Sequence, residues 1–237
     1  MSHDSSPFGD PIGLPLPGWT PRPRPPRTPM LGRTCAVVPL SAKEHGADLF
    51  AAQALDGEGR MWTYMPNGPW TSEADYLAWA RSAEASEDPQ FFAVVDADSG
   101  KPLGTCSYLR IDPANGAIEV GWIAWSPILQ QTPAATEAMY LMMARVFDEL
   151  GYRRYEWKCN ALNAPSRRAA ERLGFTYEGL FRQAAVVKGR NRDTAWYAIL
   201  DHEWPRAKAA FQAWLDPDNF DEDTLQKRSL AEIRAGL

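Results

Sequence analysis

The sequence predicts an α+β domain in which a mixed, mostly antiparallel central sheet carries helices on both faces. Three observations point there. The inferred order of elements is strand, two helices, three strands, helix, strand, helix and two strands, the mixture expected of one mainly antiparallel sheet backed by helices. The signals "ADSG" and "PANG" join three consecutive strand-like runs into hairpins. Two helical stretches, "TPAATEAM" and "NAPSRRAA", each open on a capping residue close to a proline.

Taken in order, the first 32 residues are rich in proline ("GLPLPGWTPRPRPPRTPM") and can be neither helix nor central strand. Ile12, Leu14, Leu16, Trp19 and Met30 are apolar enough to lay this arm across the domain surface. "RTCAVVPL" is a first strand. "SAKEHGADLFAAQAL" is a helix capped by Ser41, and "EADYLAWARSAEAS" a second one capped by Thr71 or Ser72. Between them lies the aromatic loop "MWTYMPNGPWTS". "QFFAVVD", "KPLGTCSYLRID" and "GAIEVGWIAWS" are the three hairpin strands. A helix from Thr132 to Leu150 follows, with Ala135, Met139, Met142, Val146 and Leu150 on one face and Gly151 as its stop. "RRYEWKC" is a strand, "NAPSRRAAERLGF" a short helix, and "TYEGLFRQAAVVKG" with "RDTAWYAILD" a final hairpin. Beyond Glu203, "WPRAKAAFQAWL" and "DEDTLQKRSLAEIRAG" are read as two helices joined by "DPDN". The expected division is an arm over 1–32, one folded domain over 33–204 and a helical extension over 205–237.

Composition narrows the function. With 25 basic and 30 acidic residues, a net charge of −5, the chain lacks the footprint of a nucleic-acid or anionic-membrane binder. Cys35, Cys106 and Cys159 are far apart, which suggests neither a disulfide framework nor a zinc site and favours a reducing, cytoplasmic setting. His3, His45 and His202 are too scattered for a metal centre, so metal-independent chemistry is expected. The N-terminus is acidic and polar, then proline-rich, unlike a secretion signal.

The stretch "QQTPAATEAM" carries the first chemical hint. Thr132 suits the N-cap, Pro133 the first helical position, and Ala134, Ala135 and Thr136 keep the first turn thin. Bare backbone N–H groups at such a helix start attract an anion, most naturally a phosphate. An ordinary capped helix explains the same residues.

Together with "NAPSRRAAERLGF" and the strand and helix order, this stretch resembles the GCN5-related N-acetyltransferase (GNAT) superfamily, and within it the RimJ/RimL-like branch. The superfamily signature Gln/Arg-x-x-Gly-x-Gly/Ala, often followed in this branch by Thr-Glu-Ala, stands here as "QQTPAATEA". Gln130 opens it, Ala135 closes it, and Pro133 replaces the usual glycine. The resemblance implies a GNAT fold and acetyl-CoA as co-substrate. It also implies that the pyrophosphate meets the amides of Gln131, Thr132, Ala134 and Ala135. The second segment is similar to the branch's Asn-x-x-Ser...Leu-Gly-Phe segment, whose helix runs beside the pantetheine arm. This implies Asn163, Ser166 and Arg167 as cofactor contacts. Many relatives place a thiolate-protonating tyrosine where Ala170 stands, so Ser166 becomes the candidate donor to the departing sulfur. Simple capping of the helix by Asn163 and Ser166 is the alternative.

Acetyl transfer to an amine needs a base, a polarised carbonyl and an outlet for a proton. Glu119, alone in the apolar strand "AIEVGWIAW", resembles the glutamate that relatives carry before the phosphate loop, although a carboxylate on a solvent face would look the same. Glu178 is the second candidate, and Asp193 either orients substrate or stabilises a turn. Backbone N–H groups near Ile123 to Trp125 would meet the carbonyl oxygen. Trp62, Tyr64, Trp70, Trp122 and Trp125 are candidates for an acceptor pocket, with core packing as their rival role. The basic stretch "KGRNRD" is either a solvated hairpin tip or attracts an acidic acceptor or the 3′-phosphate of the cofactor. The expected function is direct acetyl transfer to a primary amine of a small molecule or a protein N-terminus. A non-catalytic acyl-CoA-binding or interaction module remains the alternative, and a homodimer is left open.

Overall fold

Side-chain alternation and caps decide where the elements form. In this computed structural model, which describes residues 4–222 and 225–237, the strands are β1 (Asp4–Ser5), β2 (Pro11–Ile12), β3 (Met30–Leu31), β4 (Cys35–Pro39), β5 (Gln90–Asp96), β6 (Pro102–Asp112), β7 (Ala117–Trp125), β8 (Arg154–Asn160), β9 (Thr176–Val187) and β10 (Arg190–Leu200). The helices are α1 (Ala42–Ala54), α2 (Glu73–Ala85), α3 (Pro133–Ala144), α4 (Ala164–Leu173), α5 (Trp204–Leu215) and α6 (Leu230–Ala235). Ser41, Ser72, Thr132 and Asn163 cap α1 to α4, each accepting a backbone N–H in the first turn.

Eight strands form one sheet in the order β3-β4-β5-β6-β7-β8-β10-β9. The β7–β8 pair is parallel and the other neighbouring pairs are antiparallel. On one face Phe92, Tyr108, Ile118, Val120, Tyr155 and Trp157 pack with α3, α4 and α5. On the other face Phe91 and Ala93 pack under α1 and α2, where Leu49, Tyr76 and Ala80 are buried.

Two expectations about helices need correction. The helix expected to reach Leu150 is α-helical only to Ala144 and continues as a wider π turn over Arg145–Glu149. Within that turn the buried Arg145 guanidinium donates to the carbonyls of Thr28 and Pro29 at 2.7 and 3.1 Å. The last helix is much shorter than "DEDTLQKRSLAEIRAG" suggested, because Ser229 and Glu232 form a capping box that starts it at Leu230. Gln226 is instead committed to Trp214, whose indole N–H it accepts at 2.7 Å. The expectation over Asp223 and Thr224 lies outside the described residues.

The arm is held by polar contacts more than by its apolar residues. Ile12, Leu14 and Leu16 are exposed, whereas Met30 is buried and Trp19 partly so. Trp19 and Arg22 donate to the carbonyls of Ala114 and Pro113 in the β6–β7 turn, and Tyr152 donates to Pro23. The chain then climbs the sheet edge as β3 and turns at Gly32 into β4. Glu137, one turn into α3, receives the backbone N–H groups of Arg33, Thr34 and Cys35 there.

Candidate active site

The site begins with an interrupted ladder. β7 and β8 pair only from Ala117↔Arg154 to Val120↔Trp157, although β7 continues to Trp125 and β8 to Asn160. Trp122 sits at φ 51° and the β6–β7 register slips between Thr105 and Ser107, a bulge that turns β7 away from β8. Gly104 helps, because a Cβ there would stand 2.5 Å from the Trp125 ring. In an antiparallel ladder backbone groups point alternately towards and away from the partner. The Ser126 N–H bonds Leu103 O on the β6 side, so that of its neighbour Trp125 faces the cleft left by β8. Ile123 lies in the bulge itself.

One wall of this cleft is the start of α3. Thr132 donates to Leu129 O at 2.7 Å and accepts the Ala135 N–H at 3.2 Å. That corrects the expected donor set: the Ala135 amide is consumed by the cap, and Thr132 N–H is directed at Leu129 O at 3.4 Å. The N–H groups of Gln131 and Ala134 have no acceptor among the described residues. The loop makes its turn with Gln131 at φ 62°, a left-handed conformation placed just before the cap, so proline at the glycine position is no obstacle. Gln130 braces the loop by donating to Trp125 O at 2.8 Å. Arg172, which no motif singles out, reaches from α4 to donate to Thr136 Oγ1 at 3.1 Å, adding positive charge beside the free amides.

On α4, Asn163 Oδ1 accepts the Ser166 N–H at 3.1 Å, and Ser166 Oγ accepts the Trp157 indole N–H at 3.0 Å. The Ser166 hydroxyl proton is thus the part of that group that can donate, with the Cys159 thiol within its reach. Arg167 is turned to the opposite flank, donating to the Tyr197 hydroxyl at 3.0 Å and lying 5.7 Å from the centre of the Tyr177 ring. The guanidinium that reaches the start of α3 is that of Arg172, five positions further along α4, and not that of Arg167. Replacing Asn163 by alanine should cost about 1 kcal/mol of stability through the lost cap. Urea unfolding measures this, and an unchanged midpoint would assign the capping elsewhere.

Glu119 lies on the α1/α2 side of the sheet, nearly buried. Its Oε2 accepts from Arg110 Nη1 at 2.6 Å and from Lys158 Nζ at 3.0 Å, while Oε1 has no hydrogen-bond donor among the described residues and lies beside Gly121, just past the last β7–β8 pair. Burial pushes the Glu119 carboxyl above the usual carboxylate range, against the opposing pull of Lys158 and Arg110. Lys158 is itself buried, 2.6 Å from Glu156 and 3.7 Å from the centre of the Trp196 ring. Glu156 also pairs with Arg154, which grips Glu178 through both guanidinium Nη atoms. The Arg154 hydrogen bonds hold Glu178 below the usual carboxylate range. Glu178 is thus the far member of a chain of alternating charges ending at Glu119, not a free carboxylate facing an acceptor. Asp193 accepts from Gln183 N and Asn191 Nδ2, which is turn stabilisation. The buried Cys159 and Cys106 thiols are both pushed up by desolvation, the opposite of an activated nucleophile.

The aromatic candidates divide. Trp70 packs with Tyr76 and Trp79 in the α1–α2 core, its centroid 5.9 and 5.7 Å from theirs. Trp62 is buried beneath Gly68, where a Cβ would meet its ring at 2.4 Å. The Trp62 ring is thus closed off, while Trp70 is half-buried in its packing. Tyr64 remains partly exposed, its hydroxyl bonded to Leu162 O at 3.1 Å. Among the described residues no group of three His, Cys, Asp or Glu side chains could hold a metal ion, and no helix is long and apolar enough to cross a membrane.

A sheet that splays after a parallel pair, with a bulged strand feeding a capped helix, defines an acetyltransferase of the GNAT class. The sequence model of the acetyltransferase (GNAT) domain matches residues 37–176, and the chain belongs to that family. A GCN5-related N-acetyltransferase from Brucella melitensis is 53% identical, superposes with a TM-score of 0.91, and the match covers 93% of this chain and 100% of that one. An acetyltransferase of the GNAT family from Chromobacterium violaceum is 41% identical with a TM-score of 0.77, over 84% of this chain and 100% of that one. The N-acetyltransferase YnaD of Bacillus subtilis is 26% identical over 157 residues, 66% of this chain and 90% of that relative.

Proposed function

We propose that this acetyltransferase uses acetyl-CoA and transfers the acetyl group directly to a primary amine, and that it belongs to the RimJ/RimL-like branch. Thr136, Glu137 and Ala138 after the phosphate loop and the Asn163...Phe175 segment support the branch. The observation that carries the reading is the cleft itself. Unbonded amides of Gln131 and Ala134 line one end, the bulged strand from Ile123 to Trp125 the middle, and Glu119 lies beside Gly121 where β7 leaves β8. These groups fit a long anionic thioester: phosphates at the helix start and Arg172, and the carbonyl at the bulged strand. Bound acetyl-CoA would supply the acetyl group on a good leaving group. Glu119 accepts the proton that an alkylammonium must lose, and Ser166 donates a hydrogen bond to the departing sulfur. The free-thiol state of Cys35, Cys106 and Cys159 supports a reducing, cytoplasmic setting. The arm over 1–32 and the tail over 205–237 are extensions of the catalytic unit over 33–204.

Ala134→Pro tests this reading. At the second helical position proline keeps the helix and deletes one N–H that bonds nothing in the protein. Acetyl-CoA affinity, measured by calorimetric titration, should fall about tenfold or more, the worth of a hydrogen bond to a charged group. Wild-type protein that binds no acetyl-CoA, or a variant that binds it unchanged, would remove the cofactor from this helix and leave the non-catalytic module as the better reading.

A further inference from the structure

The charges on the acceptor side of the cleft do not cancel. Glu119, Glu156 and Glu178 are each matched by Arg110, Lys158 or Arg154. Arg192 and Lys188 are left over: neither has a carboxylate partner among the described residues. Trp196 and Lys158 are cross-strand partners on β10 and β8, their side chains in contact on the Glu119 face. Two-residue alternation puts Thr194 and Arg192 on that same face, one step each towards the open end. Arg192 Nε donates to Thr194 Oγ1 at 3.2 Å, which fixes the guanidinium and leaves its outer nitrogens unengaged. The side chain is half-buried, so a counter-ion is worth more to it than to a surface arginine.

The same side of the cleft is roofed. Lys188 Nζ donates to Trp62 O at 2.9 Å and Gly68 O at 2.8 Å, tying the tip of the β9–β10 hairpin to the α1–α2 loop. Tyr64 ties that loop to the β8–α4 connection through Leu162 O. A loop pinned at both points narrows the acceptor side, which favours a small molecule over a polypeptide.

We propose that the acceptor is a small amine that also carries an anionic group, a carboxylate or a phosphate, and that Arg192 holds this anion while Glu119 receives the ammonium proton. The inference rests on the acetyl-CoA reading above. The ammonium gives one proton to the Glu119 carboxylate, the amine lone pair forms the C–N bond, and the C–S bond of the acetyl thioester breaks. The second nitrogen proton leaves with the coenzyme A thiolate, so an amide and a free thiol result. Burial lowers the Arg192 pKa, with Glu119 among the charges that raise it, consistent with a guanidinium close to that carboxylate and short of counter-charge.

The test measures thiol release by the full chain with acetyl-CoA and matched acceptors: O-phosphoethanolamine against ethanolamine, 4-aminobutyrate against butylamine, and short peptides with acidic or neutral side chains beside the N-terminus. The wild type should prefer the anionic member of each small pair by about tenfold or more in kcat/KM, the strength of a charge-assisted hydrogen bond. In Arg192→Gln this ratio should fall close to one through KM, and Arg192→Lys should restore part of it. Equal use of both members by the wild type, a ratio unchanged in Arg192→Gln, or peptides outperforming the anionic small amines overturns the inference while leaving the transferase intact. No thiol release from any acceptor overturns the transferase reading and this inference with it.

Discussion

Glu119→Gln should lower kcat/KM by about 100-fold or more, within the range that a positioned base contributes. The pH profile should change with it. Burial raises the Glu119 pKa, so the carboxylate becomes protonated, and unable to accept a proton, at a pH above the ordinary glutamate value of about 4.3. Wild-type activity therefore rises with pH through that raised pKa, and in Glu119→Gln this acid limb should disappear. The stability sign separates this from misfolding. A carboxylate with a raised folded pKa disfavours the fold when ionised, and that penalty is relieved as pH falls towards the unfolded value. The glutamine variant therefore forfeits no ionisation-linked stability at neutral pH. Lys158 keeps Glu156 at 2.6 Å, and the Arg110 side chain, 62% exposed, takes water in place of the lost carboxylate. A variant with the wild-type limb and rate would show that another group, or bulk water, takes the proton.

Local chemistry explains what was legible in the sequence. The caps at Ser41, Thr132 and Asn163 act within three residues, so residue type and spacing suffice to place them. Strand alternation is equally local. In "RYEWKCN" the apolar Tyr155, Trp157 and Cys159 alternate with Arg154, Glu156 and Lys158, and the charged row is the face that meets Glu119. That row was available as a signal for Lys158, because opposite charges two apart on a strand share one face. Arg172 offered no comparable sign, since it matters through Thr136, brought near by tertiary packing. Arg192 stands in the basic turn "KGRNRD", which reads as able to attract an anion, but its place on the Glu119 face depends on packing. The aromatic loop misled for a related reason. Trp62 and Trp70 look like pocket walls in "MWTYMPNGPW", but whether a ring faces a ligand or the core depends on what stands opposite, here Gly68 and Tyr76.

Glu137 shows how a motif residue can serve the cofactor site without touching it. In "TPAATEA" it falls on the buried side of α3 and accepts from Arg33, Thr34 and Cys35, fastening the second turn of the helix to the β3–β4 corner. Gly32 lets the carboxylate in, since a Cβ there would stand 2.6 Å from Glu137 Cδ. Alanine at position 137 strands these donors, each costing about 1–3 kcal/mol where water cannot replace the acceptor. Partial relaxation and solvent entry at the corner reduce the sum, so a loss of about 3 kcal/mol is expected in chemical denaturation, a large share of the typical total of about 5–15 kcal/mol. Glu137→Gln keeps a carbonyl acceptor of the same shape and should cost less than half as much. Because the carboxylate holds the turn that follows the free amides, acetyl-CoA affinity should fall in parallel with stability across the two variants. If both lose affinity while unfolding at the wild-type midpoint, Glu137 contacts the cofactor directly; if Glu137→Ala loses stability but binds normally, the helix start is positioned by the Thr132 cap alone.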